Sequence, residues 1–353
     1  MKAELEKLCT DYIANRDTVR KAFRWDSKDF YPVCANVLCA YGLSADTDRL
    51  KACRKLIGKY TRPFSRFRGM VRPVLSCMLS AGEDPDGRMA LADQYYRLLK
   101  RKFRGTEYLV LAAFLLTDLA DRELSADTVA RGKEIFRLMN RKHRLHTNRT
   151  DCVFAVLLAC SGKSDDELSA DLEACYQTLK SGFSSSSDVQ TASQVLSMIP
   201  GSPEDKAQRV IRLYDELESA GVRYSRSSGL APLAALSLAD TPVSVLAEEI
   251  AAVDAFLKDN EDCGTKEKEL EERALHAVMI VSDQYAGTKH VNSTVMTNTL
   301  DMLISQKRAS LVSFLFQVLQ GLASYAFKSK EDQPESDESS AEDMPESEKQ
   351  PEK

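Results

Sequence analysis

The residues of this 353-residue chain best equipped for chemistry are few and scattered. Its four histidines stand at 143, 146, 276 and 290, and only His143 and His146 are close in sequence. Arg141, Lys142, Arg144 and Arg149 surround that pair, and no Asp, Glu or Cys lies within four residues of it. A divalent cation would be repelled there, so no metal site is expected. Glu107 and Asp151 each open an apolar run, directly after Thr106 and Thr150. Such carboxylates serve either as helix caps or as general acids and bases, and capping is the expected role. Asp165/Asp166 and Glu248/Glu249 are expected to be solvated on helix starts or faces. The glycine-rich, nucleophile-elbow and metalloprotease signatures are missing, and no cofactor is expected. An enzyme site built from this chain would draw on Arg68, Glu107, Tyr108, His143 and Asp151.

A second kind of chemistry is suggested by charge. Residues 51–150 hold 22 Lys and Arg against 10 Asp and Glu, while residues 1–50 balance at eight each. Arg62, Arg66, Arg68 and Arg72 accompany Phe64 and Phe67, and Arg97, Lys100, Arg101, Lys102 and Arg104 close a later helix. Arginine beside aromatics can grip phosphate and stack bases. The same cations also complement helix C-termini, and the whole-chain pI of 5.6 lacks the basic footprint of a dedicated nucleic-acid binder. The candidate binding surface is therefore Arg66, Arg68, Arg72, Arg101, Glu107, Tyr108, His143 and Asp151. Residues 328–353 carry ten acidic and four basic side chains and no aromatic or β-branched one, which predicts a disordered acidic tail.

These side chains must be positioned by helices. Cys53, Tyr96, Phe136, Tyr176, Tyr214 and Val253 begin similar amphipathic stretches, separated by 43, 40, 40, 38 and 39 residues. Each stretch follows an apolar, alanine-rich one, as in Tyr108–Leu116 and Cys152–Cys160. A helix apolar all round is buried, and one with a single apolar stripe faces water on its other side. Ser164 with Glu167 has capping-box spacing, and Ser202 precedes a helix-starting Pro203. Strand signals are close to absent. The fold expected is all-α, an α-solenoid of about six helical hairpins with a period near 40 residues. The hairpins fall at roughly 28–62, 66–104, 106–146, 149–183, 187–224 and 228–262, followed by capping helices over 267–327, in a single domain spanning 1–327.

The nine cysteines lie mostly in apolar helical runs and form no CxxC pair, as expected of buried thiols in a reducing cytoplasm. Met1–Thr10 lacks a signal-peptide core. Leu311–Phe327 is apolar but contains Gln317, Gln320 and Gly321, and reads as a packed helix rather than a membrane span. No integral membrane association is expected.

The runs Phe64–Gly69, Tyr95–Phe103, Glu107–Ala113, His143–Thr147 and Asp151–Ala159 resemble a bacterial family of Firmicutes known as domain of unknown function four thousand and three. The resemblance covers about Phe23 to residue 285 and implies a helical cytosolic protein. It brings no established activity or catalytic residue. Repeats without a catalytic constellation point to a non-catalytic scaffold that binds a protein or peptide. Nucleic-acid association through residues 51–150 and an enzyme assembled across hairpins are the alternatives.

Overall fold

A computed structural model describes residues 1–285 apart from 29, 119–123, 144–146, 148–150, 162 and 261–266. Asn292–Ile304, Leu311–Phe327 and the acidic segment 328–353 lie outside the described residues, as do His146 and His290.

Fourteen α-helices and no strand are found among the described residues, so the described fold is all-α. They alternate in character. The odd helices are α1 (Ala3–Ala22), α3 (Thr47–Tyr60), α5 (Pro85–Leu99), α7 (Ala126–Lys142), α9 (Asp165–Lys180), α11 (Pro203–Ser219) and α13 (Val243–Asn260). Each buries one stripe at helical spacing, such as Leu50, Cys53 and Ile57 of α3. The even helices are α2 (Phe30–Ala40), α4 (Arg72–Ser80), α6 (Glu107–Asp118), α8 (Asp151–Ala159), α10 (Ser186–Ser197), α12 (Leu230–Ser237) and α14 (Glu267–Tyr285). All but α14 are more apolar than the odd helix before them: every residue of α8 is buried, as is every residue of α2 from Phe30 to Cys39 except Pro32. Two layers follow, with odd helices outside and even helices inside.

Local chemistry sets the helix ends. Ser164 and Glu167 form a complete capping box on α9, and Ser202 accepts the Asp205 N–H at the start of α11. Gly42 leaves α2 with φ of 66°, letting the Leu43 N–H reach the Leu38 carbonyl at 2.8 Å and cover the last turn. Gly132 brings α7 against α8 so closely that a Cβ there would lie 3.2 Å from Val156 Cα.

Each odd helix packs antiparallel on the even helix that follows it, giving pairs α1–α2 through α13–α14. This pairing is one helix out of step with the even-first hairpins expected from the sequence. Neighbouring pairs touch odd to odd and even to even along the whole chain. The two ends also meet: α1 packs on α13 and α14, and α14 packs on α2. Leu5, Cys9 and Tyr12 share a core with Ala274, Ala277 and Val281. The Tyr12 hydroxyl lies 3.3 Å from His276 Nδ1, and Lys2 pairs with Glu249 at 2.7 Å. An open stack would keep its first and last hairpins apart, whereas here seven hairpins close into a ring. Glu249, expected to be solvated, is a buried hub of that seam and also accepts from the Tyr285 hydroxyl at 2.6 Å.

Because every pair is antiparallel, the loops leading from odd to even helices gather at one end of the ring. We call this the front end. Tighter turns close the other, where arginines of the odd helices satisfy the last carbonyls of the even ones. Arg49 donates to Ser80 O at 2.8 Å and Gly82 O at 2.7 Å, and Arg131 donates to Ala159 O at 3.1 Å. Arg209 reaches the carbonyls of Ser237, Ala239 and Thr241.

Candidate functional site

All eight candidate residues fall at the front end, at even-helix N-termini, odd-helix C-termini or the loops between them. The structure does not bring them into one site. Two polar groups form instead, held by different hairpins.

The first joins the second and third hairpins. Glu107 opens α6, yet its carboxylate accepts the N–H groups of Met70 and Val71 and so caps the neighbouring helix α4. Thr106 caps Glu107's own helix through the Leu109 N–H. Gly69 makes room: a Cβ there would sit 2.1 Å from Glu107 Oε1. Burial pushes the Glu107 carboxyl above its ordinary range, and the Arg66 guanidinium works against that. Its Oε2 is buried and finds no partner among the described residues. Arg68 donates to the carbonyls of Gly58 and Thr61 and to the Thr61 hydroxyl, and Arg72 donates to Arg54 O at 2.9 Å. Both therefore cap the C-terminal turns of α3. Tyr108 is half-buried beside Glu107, and burial pushes its phenol up. Arg101 stands exposed after α5, apart from this group.

The second group joins the fourth and fifth hairpins. His143 Nε2 lies 3.2 Å from Glu173 Oε2, and its ring rests on Tyr176 with centroids 4.1 Å apart. The Gln177 amide, donating at 2.7 Å, and then the charge and hydrogen bond of His143 hold the Glu173 carboxyl below its ordinary range. The Thr147 hydroxyl donates to His143 O, so it accepts from Gln190 Nε2 at 2.9 Å. Gln194 Nε2 donates to the buried Asp151 Oδ1 at 2.8 Å. His143, Glu173, Tyr176, Gln190 and Gln194 line a narrow cleft with about 20 Å³ of space for water centres, room for little more than one water.

Glu173, Tyr176, Gln190 and Gln194 were missed as functional candidates. A signal existed for the glutamines: Gln190 and Gln194 stand one turn apart in α10, whereas α2, α6, α8 and α12 hold no glutamine and are mostly apolar. Glu173 sits 30 residues from His143 in sequence and gives no such signal. Among the described residues, no three His, Cys, Asp or Glu side chains converge as metal ligands. The eight described cysteines carry thiols, and burial pushes those of Cys9, Cys39 and Cys152 up to about 12. They are poor nucleophiles.

What faces solvent at the front end is different. Trp25 is 86% exposed and Phe64 fully exposed, in the loops before α2 and α4. Arg24 lies over the Trp25 ring at 4.6 Å, and Arg62, Arg66 and Arg104 are exposed on the same end. Phe67, the other aromatic of that arginine-rich run, is core and meets Tyr96 edge-on at 5.1 Å.

A family model described as "Protein of unknown function (DUF4003)" matches residues 15–309. The chain belongs to that family. The match begins within α1 and extends past α14, so it takes in α2 to α14 whole but only the last turns of α1, and Lys2, Leu5, Cys9 and Tyr12 of the closing seam precede it. No curated protein and no solved structure matches the chain. Among the described residues no helix is long and apolar enough to cross a membrane.

Proposed function

We propose that this DUF4003 protein is a non-catalytic docking protein of the cytoplasm, which receives a protein or peptide partner on the front end of its ring. One observation carries the reading: Trp25 and Phe64 stand in solvent on the loops of neighbouring hairpins, which also carry the exposed Arg24 and Arg62. Tryptophan, phenylalanine and arginine are among the side chains enriched at protein interfaces. Arg24, Arg62 and Arg104 have no ion-pair partner among the described residues, so the surface suits a partner with acidic side chains. The two polar groups support the same reading from the other side. Glu107, His143 and Asp151 are engaged in fastening one hairpin to the next, and Arg68 and Arg72 in holding α3 and α4 of the second hairpin together, which leaves the enzyme alternative without an open acid–base pair.

Arg24 over Trp25 also favours nucleic-acid docking, since guanidinium and indole together stack bases. That alternative is weaker because Arg68, Arg72, Arg131 and Arg209 spend their donors on backbone carbonyls. The discriminating experiment captures partners of the intact chain and of a Trp25→Ala/Phe64→Ala variant with unchanged thermal stability. A protein recovered by the first and lost by the second is expected. Equal recovery by both would overturn the reading. Retention on single-stranded nucleic acid with a steep salt dependence would replace it with the alternative.

A further inference from the structure

The ring carries opposite charge on its two ends. At the front, loops 61–71, 100–106 and 220–229 hold nine Lys and Arg and no Asp or Glu. At the rear, loops 41–46, 81–84 and 238–242 hold four Asp and Glu and no Lys or Arg. The odd helices share this polarity. Their first turns, at the rear, are acidic in α3, α5, α7, α9 and α11, and their last turns, at the front, are basic in α3, α5, α7 and α9. Helix dipoles account for those turns. They do not account for the front loops, because Arg66, Arg104 and Arg226 stand shortly before the N-termini of α4, α6 and α12, where a dipole disfavours a cation. Arg62 and Arg104 are exposed and form no ion pair among the described residues, and Glu83, Asp127 and Asp240 are exposed at the rear. Arg49, Arg131 and Arg209 also lie at the rear, bound to carbonyls, and the acids there outnumber them.

Resting on the docking reading above, we propose that the acidic partner of the front end is the rear end of a second copy of this chain, so that rings stack front on rear.

The two ends are rims of one ring, so they match in perimeter as well as in sign of charge. Trp25 and Phe64 of one ring meet apolar side chains that are part-exposed at the rear of the next, Leu43, Ile199 and Pro200 among them. Asp26, beside Trp25, does not oppose the contact, because Arg54 pairs with it at 2.7 Å. Front-on-front pairing would set cations against cations and is disfavoured. The contact joins unlike surfaces and is therefore not closed by a two-fold axis. It leaves one free front and one free rear on every stack, so association grows with concentration.

Sedimentation velocity of the full-length chain reads the stack. The expected mass rises above the monomer with concentration at about 0.1 M salt and falls back at about 1 M, as the Debye length shrinks from about 10 Å to about 3 Å. Two variants separate the ends. Arg62→Glu/Arg104→Glu reverses charge at the front, and Glu83→Lys/Asp127→Lys reverses it at the rear. Each alone should self-associate at least about tenfold more weakly than the native chain. An equimolar mixture of the two should associate again, because the intact rear of one meets the intact front of the other. A native chain that stays monomeric at every concentration in low salt would overturn the proposal. So would association unmoved by either reversal, or a mixture that fails to recover while both variants keep the native melting temperature. The two claims fail separately. A monomeric chain that captures another protein through Trp25 and Phe64 removes only the stack. Stacking that persists in Trp25→Ala/Phe64→Ala, with no other protein captured, removes only the reading that those aromatics dock a partner.

Discussion

At the scale of single residues, the candidates picked for chemistry turn out to hold the structure together, and their protonation follows from that. Glu173 is the clearest case, with its carboxyl held low by the Gln177 amide and by His143. A carboxyl whose folded pKa is depressed contributes stability above its unfolded pKa, and that contribution is lost as pH falls through the folded value. Urea midpoints of the native chain should therefore fall between about pH 5 and about pH 3, and Glu173→Gln should flatten part of that acid limb by lowering the midpoint at neutral pH while leaving it little changed at about pH 3. An acid limb identical in both proteins would show that the His143 contact carries no linkage. Glu107 was legible as a cap, but not as the cap of another helix, because its target lies across a loop at Met70 and Val71. His143 was legible as a cation at a helix end, but the stack on Tyr176 depends on the packing of α7 against α9.

At the scale of elements, the alternation of apolar and amphipathic helices could be read from composition, because burial on all faces and burial on one face leave different patterns. The basic excess of residues 51–150 was also visible, but its meaning was not. Part of it goes to carbonyls that no neighbouring residue in sequence can satisfy, since Arg68 and Arg72 serve the end of α3. Arginines outside that stretch do the same work, as Arg209 does for α12. Arg209→Met should thus destabilise the protein by about 2–4 kcal/mol, since hydrogen bonds from charged donors contribute about 1.5–3 kcal/mol each and replacement leaves carbonyls at the end of α12 unmet. Arg62→Met, on an exposed side chain, should stay within about 0.5 kcal/mol. Chemical denaturation of the two variants checks both, and equal effects would contradict the division between capping and surface arginines.

At the scale of the whole molecule, the repeat period led to the expectation of an α-solenoid of about six hairpins, and a period does not tell whether the two ends of a helical array meet. Periodicity is a property of neighbours, and closure depends on contacts between the two ends of the helical array, α1 with α13 and α14. Helix α1 lacks the anchor pattern of the other odd helices, so its role in the seam was hidden, and Glu249 passed for a solvated carboxylate. The docking surface around Trp25 and Phe64 lies on the first hairpins, whereas closure joins the first hairpin to the seventh and is the central claim about the whole molecule. Tyr12 is fully buried in the seam, and Tyr12→Ala should cost about 3–5 kcal/mol, as truncation of a core aromatic does. The direct measurement is hydrogen exchange of that variant against the native chain, read helix by helix. A closed ring predicts that α13 and α14, more than 200 residues away in sequence, lose protection together with α1 and α2. Loss confined to α1, α2 and α3, with α13 and α14 unchanged, would contradict it.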